Sequence, residues 1–125
     1  MSYDLVVFDP QVAPRGRDEF LRWYDEQTAW PEGHSYDDPE VTTPALASWF
    51  ADMSQGFPPM NGALASNDYA NLKVTDYAIG RSVIYAAFAS SQGQLAYETV
   101  RRLAAKHSVG FFDASGDGEI AFPNV

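Results

Sequence analysis

Residues 72–107 read LKVTDYAIGRSVIYAAFASSQGQLAYETVRRLAAKH: two short apolar segments, a break between them, and an amphipathic stretch after them. Leu72 to Ile79 and Ser82 to Ala89 are rich in β-branched and aromatic residues, and Gly80-Arg81 separates them, so the spacing predicts a β-hairpin. A connection that short forces the two strands to run antiparallel. Ser91 and Gln94 then match an S-x-x-Q capping box, which predicts a helix over 92–107. Ala96, Val100 and Leu103, with His107 at the end, form its inner face. Arg101, Arg102 and Lys106 suit the negative end of its dipole.

Toward the C-terminus, Val109 to Asp113 and Glu119 to Phe122 form a second predicted hairpin, turned through Gly116-Asp117-Gly118. Toward the N-terminus lies a Pro-, Asn-, Gly- and Ser-rich loop over 56–71. It is either anchored by Phe57, Met60 and Leu64 or part of a binding surface. Before it, Thr43 is a suitable N-cap, and Pro44 falls where a missing N–H does no harm. Leu46, Trp49, Phe50 and Met53 follow at i, i+3, i+4 and i+7, until Gly56 and Pro58-Pro59 stop the helix. Residues 17–30 predict another helix, with Asp18 and Glu19 in its first turn and Phe20, Tyr24 and Gln27 on one face, Leu21 and Trp23 beside them. Tyr3 to Phe8 reads as a strand closed by Asp9-Pro10. The order is β-α-α-β-β-α-β-β. It predicts one α+β domain over 1–125, with a mainly antiparallel sheet of about five strands and three helices packed on one face.

A chain of 125 residues is long enough to bury a core without staples, and it has no cysteine, which excludes disulfides and thiolate metal sites. The opening MSYDLVVFDP has no basic stretch ahead of its apolar residues, and the longest apolar run, Val83 to Ala89, is far too short to span a bilayer. The expected location is the cytoplasm. Charge is more informative. The net charge is −9, and residues 1–60 hold 11 acids against 3 bases, while 61–125 hold 6 against 5. Between Asp18 and Glu40 there are eight acids and one base, Arg22. Such a surface repels phosphate, so nucleic acid and anionic membrane are poor partners and a basic protein is a good one.

Two stretches invite a metal. Asp113-Ala114-Ser115-Gly116-Asp117-Gly118-Glu119 matches the opening of a calcium loop, but the twelfth position is Asn124 in place of Glu, and a Gly-rich hairpin turn explains the same residues without an ion. Glu32, His34, Asp37, Asp38 and Glu40 are dense in ligand types but lie in a Pro- and Gly-bounded loop without helical i, i+4 spacing, so an acidic, solvated or partner-facing loop is expected. No phosphate-binding Gly loop, G-x-S-x-G elbow or H-x-x-x-H pair exists. A carboxylate pair of the glycosidase kind stays open among 17 acids. The expectation is a protein that binds, without cofactor, metal or catalysis.

Four stretches carry a resemblance: MSYDLVVFDP, Tyr36-Asp37-Asp38-Pro39 leading into Trp49-Phe50, Phe57-Pro58-Pro59-Met60-Asn61-Gly62, and GFFDASGDGEI. With them the chain resembles a family of small acidic bacterial proteins beginning M-S-Y-D-L, some of them similar to immunity proteins of contact-dependent growth inhibition toxin systems. The resemblance implies a protein that binds and neutralises one cognate toxin domain in the cytosol. Nuclease toxins present a basic cleft, which an acidic protein can occupy as a phosphate mimic. The expected contact surface is Asp25, Glu26, Trp30, Glu32, Tyr36, Asp37, Asp38 and Glu40, with the two aromatic residues as anchors. The alternatives are a small metal-free enzyme and an acidic adaptor in another bacterial complex.

Overall fold

A computed structural model describes residues 2–62, 65–68 and 70–123. Its elements are β1 (Ser2–Phe8), α1 (Arg17–Gln27), α2 (Pro44–Gly56), β2 (Asp76–Ile79), β3 (Val83–Ala89), α3 (Gly93–His107), β4 (Gly110–Phe112) and β5 (Ile120–Ala121), with short 3₁₀ turns at Pro39–Val41 and Ser90–Gln92. The strands form one sheet in the order β2-β3-β1-β4-β5, and every neighbouring pair is antiparallel. This is the α+β class and the element order that the pattern predicts.

The placement of the helices differs from the prediction. Leu5, Val6, Val7 and Phe8 in β1 are all fully buried, so this central strand is covered on both faces. Leu5 and Val7 point to a core with Ile84, Ala86, Phe88 and Phe111 from the sheet and with Leu46, Trp49, Phe50, Ala96, Val100 and Leu103 from α2 and α3. Val6 and Phe8 point the opposite way, to a second core with Phe20 of α1, Val83 and Phe112. The helices therefore sit on both faces, α1 alone on one. Its core is aromatic: Phe8 and Phe20 meet edge-on at 4.9 Å, Phe20 and Phe112 at 5.3 Å, and Phe8 and Phe122 at 5.2 Å. Phe8 fits because its cross-strand neighbour is Gly110, where an added Cβ would overlap the Phe8 ring.

Local boundaries shift for identifiable reasons. α1 ends at Gln27 and not at residue 30: Thr28 caps it, its amide and its hydroxyl both donating to the Tyr24 carbonyl, and Trp30 beyond it takes a left-handed backbone with φ +53°. β2 starts at Asp76 and not at residue 72, because Asn71 turns the chain by accepting from the amides of Lys73 (side chain, 2.9 Å) and Val74 (backbone, 3.1 Å). The Ser91–Gln94 capping box does not form. Ser90–Gln92 takes a 3₁₀ turn instead, and α3 begins at Gly93 with no side-chain cap. Thr43 does cap α2, accepting from the Leu46 amide at 3.2 Å. In the 56–71 segment Phe57 is buried, Met60 is about half exposed, and Leu64 lies outside the described residues. In the last hairpin Asp113 is buried, and its Oδ1 accepts from the Gly116 amide at 2.8 Å and from the Tyr3 hydroxyl at 3.4 Å. The carboxylate thus holds its own turn; Asn124 lies outside the described residues.

The acidic face as a candidate interface

The chain leaves α1 on one face of the sheet, crosses the β2 edge between residues 28 and 42, and enters α2 on the other face. Hydrogen bonds fix this crossing. Tyr36 presents its carbonyl to the Ile79 amide at 2.8 Å, and its hydroxyl donates back to the Glu32 carbonyl at 2.8 Å. Thr42 Oγ1 donates to the Arg81 carbonyl at 3.1 Å. The Glu32 carboxylate accepts from the Arg81 amide, at 3.0 Å to Oε1 and 3.3 Å to Oε2, and it also pairs with His34 Nε2. The other ring nitrogen, Nδ1, lies 2.7 Å from the Ser35 carbonyl. Both neighbours only accept, so both nitrogens must donate, which the charged imidazolium does. The Ser35 carbonyl first and the Glu32 side chain second raise the His34 pKa above its usual value.

The eight residues expected at the interface thus divide. Asp25 and Glu26 stand exposed on α1, and Glu40 stands exposed on the 3₁₀ turn. Glu32 is spent on His34 and Arg81, and Asp38 caps the 3₁₀ turn by accepting from the Glu40 amide at 2.9 Å. Trp30 and Tyr36 are half-buried, with ring centroids 5.0 Å apart, and Trp30 also meets Tyr85 at 6.5 Å. They pack the loop onto the sheet. Asp37 is half-buried and lines a cleft at the β2 edge. Glu32 and His34 come together, yet no three His, Asp or Glu side chains among the described residues are placed to hold a metal.

Other acids on this face were not expected from the sequence. Asp76 and Asp4 both sit opposite Ala87, so one row across β2, β3 and β1 reads Asp, Ala, Asp. With strands about 4.8 Å apart, the two acids lie about 10 Å from one another. Tyr85 donates its hydroxyl to Asp4 Oδ2, and Tyr24 stands close to the same carboxylate. Burial first, and then Asp4 and Asp25, push the Tyr24 phenol up to about 12. Burial and then the Asp4 hydrogen bond raise Tyr85 as well. Only the β1–β3 register brings Asp4 and Tyr85 to one face, so spacing along the chain carries no signal for them.

The opposite face is charged differently. α3 carries Arg101, Arg102 and Lys106, and Lys106 donates to Asp52 of α2 at 2.9 Å, with His107 Nε2 2.6 Å from the same oxygen. The Lys106 and His107 hydrogen bonds hold the Asp52 carboxyl below its usual range. His107, expected on the inner face of α3, instead ties α3 to α2. Among the described residues no helix is long and apolar enough to cross a membrane. Comparison with protein families, with curated proteins and with solved structures gives no match for this chain, so its own residues carry the functional reading.

Proposed function

We propose that this chain is an immunity protein that binds a cognate basic toxin domain in the bacterial cytosol and neutralises it through the face bearing α1. One observation carries the reading: α1 exposes Asp18, Glu19, Asp25 and Glu26 against Arg17 and Arg22, with Asp76 on the same face of the sheet, while α3 across the sheet carries Arg101, Arg102 and Lys106 against Glu98. A one-sided field orients the encounter with a basic cleft and speeds it. The resemblance in the MSYDL opening and the GFFDASGDGEI hairpin supplies the biological setting.

An enzyme is the rival reading, and Tyr24, Tyr85 and Asp4 form the group closest to a catalytic constellation. Both phenols are pushed upward, away from neutral pH, whereas proton transfer favours groups poised near it. That favours binding over catalysis.

The test is to mix the purified chain with the toxin domain encoded beside its gene. A one-to-one complex on size-exclusion chromatography, with the toxin's activity abolished, is the expected result. Full toxin activity in the presence of excess chain overturns the proposal.

A further inference from the structure

β2 pairs with β3 on one side only, and the register decides what its other edge presents. The Gly80 amide donates to the Val83 carbonyl at 2.8 Å, so the hydrogen-bonded pairs are 78 with 85 and 76 with 87. The peptide groups of Thr75, Tyr77 and Ile79 therefore point away from β3. Thr75 is met at both its peptide groups, and Ile79 at its amide. The Thr75 amide donates to the Pro58 carbonyl at 2.9 Å, and its carbonyl accepts from the Met60 amide at 2.8 Å. The Ile79 amide donates to Tyr36. Between them the amide and carbonyl of Tyr77 have no partner among the described residues, although Tyr77 is only 5% exposed. A peptide pair on a strand edge that no protein group meets takes water or a ligand as its partner.

The gap has a local cause. Pro59 and Thr75 form a parallel bridge that would run on to Tyr77 if the chain stayed straight. Gly62, with φ +89°, instead turns the chain against the Asp37 carbonyl. A cleft of about 280 Å³ is left in front of Tyr77, lined by Tyr36, Asp37, Asn61, Asp76 and Ala78. Since water occupies roughly 30 Å³ per molecule in the liquid, there is room for a side-chain head group together with waters.

We propose that this notch receives an arginine side chain from the partner protein, which deepens the reading of the acidic face and rests on it. A guanidinium offers five donors in a planar fork. It can donate to the Tyr77 carbonyl and to the Asp37 and Asp76 carboxylates at once, while a bridging water accepts from the Tyr77 amide. Lysine is a single point charge and fits the three acceptors less well.

The experiment is an amide NMR titration of the whole chain with the blocked peptide Gly-Arg-Gly at physiological salt, with citrulline and lysine versions for comparison. The Tyr77 and Ala78 resonances should move saturably with the arginine peptide. Affinity should fall about tenfold with citrulline and in Asp37→Asn/Asp76→Asn. Asp76→Asn alone, at an exposed position, serves if the double variant does not fold. Shifts confined to Asp25 and Glu26 on α1, or equal shifts with citrulline, would overturn the proposal. Because no toxin is present, this result stands apart from the immunity test: a toxin complex that leaves Tyr77 unmoved refutes the notch alone.

Discussion

Trp49 is fully buried against the sheet, and its indole N–H donates to the Val100 carbonyl at 3.4 Å. Trp49→Ala should therefore lower stability by about 3–5 kcal/mol, as large-to-small core changes do. Chemical denaturation measures this, and unchanged stability would mean that the α2 stripe does not pack as described. His34 acts through pH. Its pKa is raised in the folded chain by the Ser35 carbonyl and Glu32, so its contribution is complete below the imidazole's ordinary value of about 6.5 and is lost as pH rises through the folded value. The melting-temperature gap between the parent chain and His34→Gln should shrink from about pH 6 to about pH 8. A gap that stays constant would show that His34 is neutral in the loop. Trp49 was legible from its helical spacing. The bonding of His34 was not, because Glu32 and Ser35 reach its ring only once the loop closes on Arg81.

At the scale of elements, the two N-terminal signals part company. Thr43 caps α2, whereas Ser91 and Gln94 do not form their box. Thr43→Ala should cost about 1 kcal/mol, and Ser91→Ala should change stability by less than about 0.5 kcal/mol. Equal losses in equilibrium unfolding would mean that α3 is capped after all. The strands and helices were legible because their periodicities differ, and both hairpins followed from their Gly-containing turns. The face chosen by α1 was not. Leu5 to Phe8 is a continuous apolar run, which fits a strand buried on both sides as well as a strand in a one-sided sheet with neighbours of mixed depth. Phe20 and Trp23 mark an apolar helix face but do not say which side of the sheet it meets. The acidic loop was legible as a surface feature. The internal duties of Glu32 and Asp38 were hidden, since a carboxylate that caps a backbone amide looks the same in sequence as one that faces solvent.

Over the whole molecule, the charge asymmetry along the chain becomes a net asymmetry across the sheet, with acids in excess of Arg17 and Arg22 on α1 and bases in excess of Glu98 on α3. Interface tests belong on groups that do nothing else. Asp38→Lys would remove a cap as well as a charge, so Asp25 and Glu26 are the better probes: both are exposed on α1. Exposed charges contribute little to stability, so Asp25→Lys/Glu26→Lys should melt close to the parent chain. Arg102→Glu, exposed on α3, is the control from the opposite face. The decisive measurement is the association rate of each chain with the cognate toxin domain at low and at physiological salt. The α1 double reversal should associate about tenfold more slowly at low salt and with a flatter salt dependence, while Arg102→Glu keeps the parent rate. A folded double reversal that associates at the parent rate at both salts, with Arg102→Glu altered instead, would contradict binding through the α1 face.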